Sequence, residues 1–138
     1  MRKIVPMILA LTALVVASLA CGLFSPEMSL TKLRLAFDED GNSPTTVYAP
    51  SDVFYAVGEL QNAPAGTVVK AVWRAAQIEG YEPDEIIYEQ EINDFTGESF
   101  DGTIYFQLSN DSGWAVGVYK VDILLNGTLI ASLPFSVR

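Results

Sequence analysis

Histidine is absent from these 138 residues, and cysteine occurs once, at position 21. Without histidine, Ser–His and Cys–His nucleophilic pairs and histidine-based zinc sites are excluded. With a single cysteine no intrachain disulfide can form, so a folded domain must rely on packing. Basic residues are scarce as well: eight Lys and Arg stand against 17 Asp and Glu, a net charge of −9. Such a surface repels phosphate backbones and anionic headgroups, so nucleic acid is not an expected partner. What remains for catalysis is a Ser–Lys arrangement or a carboxylate pair. Lys32, Lys70 and Lys120 fall at outward positions of expected strands. A catalytic lysine needs desolvation to lower its pKa, and nothing here supplies it. No enzymatic activity, cofactor or metal is expected.

Two of the eight basic residues, Arg2 and Lys3, open the chain and precede an apolar run over residues 4–19. Ser18-Leu19-Ala20-Cys21 follows, with the small Ala20 just before the cysteine. A basic start, an apolar middle and small residues at a cut site make a secretory signal, expected as a helix over 1–20. The placement of the one cysteine resembles the lipobox of bacterial lipoproteins, with Ser18 where leucine is usual. The resemblance implies cleavage between Ala20 and Cys21, a diacylglyceryl group on the sulfur and a palmitate-type acyl load. It also implies a cell-membrane or outer-membrane location with the domain outside the cytoplasm. Plain secretion and an uncleaved anchor are the alternatives. Free exposed thiols are rare in secreted proteins, which favours lipidation. One acyl chain binds a bilayer marginally and two hold firmly. All 17 acidic residues lie after Cys21, so the chain beyond the leader carries six basic residues against 17 acidic ones, net −11.

Residues 21–29 read as a tether containing Pro26; at about 3.4 Å per residue, 22–29 reach at most about 27 Å from the lipid. From residue 30 to 138 the hydropathy pattern has period two almost throughout. Leu33, Leu35 and Phe37 alternate with Lys32, Arg34 and Ala36, so the first three are expected inside. Further extended segments are expected at 45–48, 53–60, 67–78, 86–92, 98–108, 116–125 and 129–137, divided by turn residues. Asn126-Gly127 between two strong strands is a hairpin signal, because both residues tolerate positive φ. Gly117-Val118-Tyr119-Lys120-Val121 looks like the tyrosine corner of immunoglobulin-like domains. Val121 stands where an antibody domain has its second cysteine, and Trp73 where the core tryptophan belongs. The chain from residue 31 to 138 thus resembles a disulfide-free, immunoglobulin-like antiparallel β-sandwich of about seven strands, of the sort found in bacterial surface lipoproteins. That resemblance implies a fold and no active site.

Several clusters invite a functional reading. Glu79, Glu82, Asp84, Glu85, Glu89 and Glu91 crowd one loop and strand; acid–base work needs two carboxylates in unlike environments, and a solvated face is the simpler expectation. Asp38-x-Asp40-x-Asn42 has calcium-loop spacing but carries Ser43 where a glycine is needed and Ala49 where a glutamate is, so a turn is expected. Tyr81 and Trp114 are the loop aromatics able to contact a ligand; Tyr81 is the better candidate for exposure, and Trp114 is expected as a lid over the core. The Asn110 and Asn126 sequons are accidental behind a bacterial leader.

The expected function is a lipid-anchored, extracytoplasmic binding or adaptor module, held to the membrane through Cys21 and contacting another envelope protein. The alternatives are a protease inhibitor inserting loop 79–85 or 38–44, a carbohydrate-binding module using Tyr81 and Trp114, and a spacer without a ligand.

Overall fold

A computed structural model describes residues 27–138, so the signal helix, its cleavage site at Ala20 and Cys21 lie outside the described residues. The described chain is all-β, with eight strands: β1 Ser29–Ala36, β2 Val47–Tyr48, β3 Phe54–Ala63, β4 Val69–Ile78, β5 Ile86–Ile92, β6 Phe100–Leu108, β7 Gly117–Leu125 and β8 Thr128–Val137. They form a three-stranded sheet in the order β1-β3-β6 and a five-stranded sheet in the order β2-β8-β7-β4-β5. All pairings are antiparallel except one: the two-residue β2 runs parallel to β8. This short strand makes the second sheet mixed and brings the strand number to eight, where about seven antiparallel strands were expected. Among the described residues no helix is long and apolar enough to cross a membrane.

Alternation along the strands sends one face of each sheet into a shared core. β7 shows it plainly, with Tyr119, Val121, Ile123 and Leu125 buried and the residues between them partly exposed. Phe54 of the smaller sheet meets Phe135 of the larger at 4.8 Å between ring centroids, and Trp73 at 6.0 Å. Tyr119 stacks on Phe135 at 5.4 Å, and its hydroxyl donates to the Ala115 carbonyl at 2.6 Å. Trp73 and Val121 are both fully enclosed. No buried side-chain nitrogen or oxygen among the described residues lacks a hydrogen-bond partner. A core without disulfides therefore carries no polar debt.

One expectation fails at the end of β1. Phe37 is half exposed, while Ala36 is completely buried. β1 carries a bulge further back: Thr31 opposes Glu59 and Arg34 opposes Val57, so Lys32 and Leu33 together face Gly58. Lys32 takes φ 53° there. The extra residue moves the buried phase from Leu30 to Leu35, which is enclosed as expected; Phe37 lies past Ala36, the last residue of β1, where the alternation has ended. Gly58 makes the room for the bulge, since a Cβ at that position would lie 2.7 Å from Leu33 Cδ2. Phe37 then leans edge-on against Tyr48 at 5.4 Å.

The two ends of the molecule differ. One gathers the β1–β2, β2–β3, β4–β5 and β6–β7 connections; the other holds the start of β1, the β3–β4 and β5–β6 connections and the β7–β8 hairpin. Asn62 Nδ2 donates to the Glu27 carbonyl at 3.1 Å, which ties the first described residues to this second end.

Candidate functional site

The end remote from Glu27 is where the expected site residues meet. Its β1–β2 connection begins with Asp38, whose carboxylate accepts the N–H groups of Asn42 at 3.0 Å and Ser43 at 2.9 Å. Those two bonds, Ser43's first, hold the Asp38 carboxyl below its ordinary range. Arg34 closes the same turn by donating to the carbonyls of Gly41 at 3.0 Å and Asp40 at 2.9 Å. Asp38 is thus engaged in shaping its own turn, as the residue pattern led one to expect. Among the described residues no group of three or more His, Cys, Asp or Glu is gathered as a metal site.

The β4–β5 connection presents Glu79, Glu82, Asp84 and Glu85, all exposed. Lys120 on β7 pairs with Asp84; this hydrogen bond and its charge lower the Asp84 carboxyl. Lys70 lies 3.5 Å from Glu89. Both lysines are therefore partners of carboxylates on the solvated face. With Asp38, Glu39, Asp40, Asp52 and Asp111, the loops of this end hold nine of the 17 acidic residues. No lysine or arginine lies in those four connections. Tyr81 is 45% exposed in their midst, and Val116 is 64% exposed. The Tyr119 phenol is pushed up by burial and, secondarily, by the neighbouring Tyr81.

Trp114 is placed differently. It is 9% exposed and stacks on Phe54, while its Nε1 donates to the Asp52 carbonyl at 3.0 Å. Its backbone N–H donates to the Pro50 carbonyl at 2.8 Å. The residue is a lid that fastens the β2–β3 connection over the core, which is the placement expected for it. Its seat is apolar, made by Phe54 and Tyr119. Tyr81 retains its exposure. A shallow depression of about 450 Å³ lies between residues 50–53 and 109–113, lined by short polar side chains together with Pro50 and Val53.

Two features were not expected. Gln90 on β5 accepts from Trp73 Nε1 at 2.8 Å and donates to the Gln107 carbonyl on β6 at 2.7 Å, joining the free edges of the two sheets. At the other end, consecutive Leu129 and Ile130 are 57% and 42% exposed. Their only sequence signal is an apolar pair beside the Asn126-Gly127 turn that breaks the period of two.

No family model matches the chain, and no curated protein matches it in sequence. Similar solved structures include the alkylpurine DNA glycosylase AlkC of Pseudomonas fluorescens bound to DNA containing an abasic-site analogue, at TM-score 0.52 and 17% identity over 85% of this chain. A mutant β-glucosidase from Listeria innocua in complex with laminaribiose is similar at TM-score 0.51 and 13% identity over 81% of this chain. The chain spans 32% of the first protein and 16% of the second. At these identities the likeness is one of fold: a two-sheet β-domain that larger proteins carry as a part.

Proposed function

We propose that the chain is a non-catalytic, lipid-anchored binding or adaptor module of a bacterial cell envelope. It carries an immunoglobulin-like sandwich outside the cytoplasm and contacts another envelope protein. The immunoglobulin-like assignment is supported by the Tyr119–Ala115 hydrogen bond, by Trp73 and Val121 in the core, and by the order of strands in the two sheets. The observation that carries the functional reading is polarity. The chain enters at one end through Glu27, and the loops bearing nine carboxylates and Tyr81 stand at the opposite end. A lipid on Cys21 would leave that acidic end facing outward, where a partner with a basic surface gains electrostatic steering and an aromatic anchor. Withdrawal of Trp114 into the core removes one of the two aromatics on which a carbohydrate-binding reading depends.

The test has two parts. Mass spectrometry of the protein extracted from membranes should give a chain beginning at Cys21 with acyl groups; an intact Met1 terminus overturns the mooring. Cross-linked pull-downs should then recover a partner that is lost in Tyr81→Arg and kept in Leu129→Ser. Recovery of the module by itself in every case overturns the adaptor role.

A further inference from the structure

We infer that the β7–β8 hairpin tip, through Leu129 and Ile130, docks on the bilayer surface next to the lipid anchor. This rests on the reading of Cys21 as lipidated. A β-bulge produces the exposed pair: Ile123 opposes Ala131 and Leu124 opposes Leu129, so Ile130 is the extra residue. Bulges re-aim side chains, and here two large apolar neighbours both reach solvent, where alternation would have turned one inward.

The tip is fixed to the same end as the chain entry. Thr67 Oγ1 lies 3.6 Å from Met28 Sδ, and the next residue, Val68, exchanges two hydrogen bonds with Asn126 at 2.8 and 2.9 Å. Cys21 precedes Glu27 by six residues, so the anchor lies within about 20 Å of this end at full extension. Charge points the same way. Residues 64–68 and 126–130 contain no ionisable side chain, and the β5–β6 connection of the same end adds only Asp94 and Glu98, whereas the opposite loops hold nine carboxylates. An uncharged, apolar tip beside the anchor suits the headgroup–acyl boundary; an acidic one would be repelled from an anionic leaflet. The occupant is therefore the lipid surface.

The experiment uses the full chain extracted from membranes and reconstituted in phosphatidylcholine vesicles. A nitroxide is placed on Leu129→Cys and, as the remote control, on Ser112→Cys. Lipidated Cys21 is a thioether and takes no label, so each chain should carry one nitroxide by mass. The label at 129 should favour oxygen over a water-soluble nickel chelate severalfold more than the label at 112. Equal ratios at the two positions, with one label per chain, overturn the docking while the mooring stands. Two labels per chain overturn the mooring, and absence of such a chain from the vesicles overturns the docking with it. Dipolar broadening at 129 that disappears on dilution with unlabelled protein assigns the tip to a second copy, and the lipid assignment falls.

Discussion

The indole of Trp114 lies almost flat on the ring of Phe54, with centroids 4.4 Å apart and planes 19° from parallel. One residue comes from the connection before β7 and the other begins β3, so the stack joins the two sheets at the acidic end. Truncating a buried tryptophan removes both its contacts and its burial, a loss of about 3–5 kcal/mol. Trp114→Ala should lower stability by that amount and frees the Asp52 carbonyl, while the backbone bond to Pro50 stays. Trp114→Phe keeps much of the stack and loses only the 3.0 Å bond to Asp52, about 1 kcal/mol. Urea unfolding of both variants checks the order. Near-equal losses would mean that the hydrogen bond, not the stack, holds the lid.

Tyr48 gives the domain an alkaline limit. Its hydroxyl donates to the Ala36 carbonyl at 2.7 Å, and burial pushes its phenol up to about 12. An unfolded tyrosine ionises near 10. Between about pH 10 and about pH 12 the unfolded chain therefore releases a proton that the folded chain retains, and stability falls as pH rises. Below pH 10 this contribution is fully present. Tyr48→Phe should cost about 1–2 kcal/mol at pH 8, from the lost bond. The gap between wild type and variant should narrow through this alkaline window. Urea midpoints at several pH values measure it; a constant gap contradicts the assignment.

Gln90 joins edges that are otherwise open. Its amide takes the Trp73 N–H and reaches the Gln107 carbonyl across the gap between β5 and β6. Replacement by leucine preserves volume and leaves the indole N–H of a residue that is 1% exposed without a partner. The expected loss is about 2 kcal/mol. Amide exchange should rise along β5 and β6 more than along β7. Uniform acceleration would indicate a general loss of stability instead of a loosened edge.

How far sequence reveals this molecule can be judged residue by residue. The segment expected at 86–92 forms β5 with those bounds, and the Asn126-Gly127 hairpin forms where its φ requirements place it. Period two and turn chemistry are local, and they act wherever the residues stand. Phe37 and Ile130 escape the same reading because Phe37 lies just past the end of β1 and Ile130 is the extra residue of a bulge, and where pairing stops or slips depends on the partner strand. Gly58 opposite Leu33 illustrates this, since the room it makes belongs to another strand. Gln90 escapes for a related reason: its partners, Trp73 and Gln107, are each 17 residues away. Tyr81 and Trp114 are both legible: nothing packs over a polar loop, and a tryptophan just before the tyrosine corner falls at the end of the core.

The hairpin that carries the proposed lipid contact can be loosened without touching Leu129 or Ile130. Asn126 and Gly127 take φ 49° and 83°, and Asn126 Oδ1 accepts the Val68 N–H at 2.9 Å. Asn126→Gly removes the acceptor while easing the backbone, a cost of about 1 kcal/mol. Asn126→Ala removes the acceptor and keeps the β-carbon in the left-handed region, so it lacks the relief that glycine gives, a difference of about 1–2 kcal/mol between the two variants. Gly127→Ala meets no atom within 4 Å, so its loss is conformational strain by itself, again about 1–2 kcal/mol. Thermal unfolding should thus place Asn126→Ala lowest and Asn126→Gly highest of the three. Faster amide exchange at Val68 should accompany both Asn126 variants and not Gly127→Ala, because only the former lose the bond to the β3–β4 connection. Equal melting temperatures for Asn126→Gly and Asn126→Ala would show that side-chain capping, and not the turn's backbone geometry, fixes the tip against the end of the domain where the chain enters.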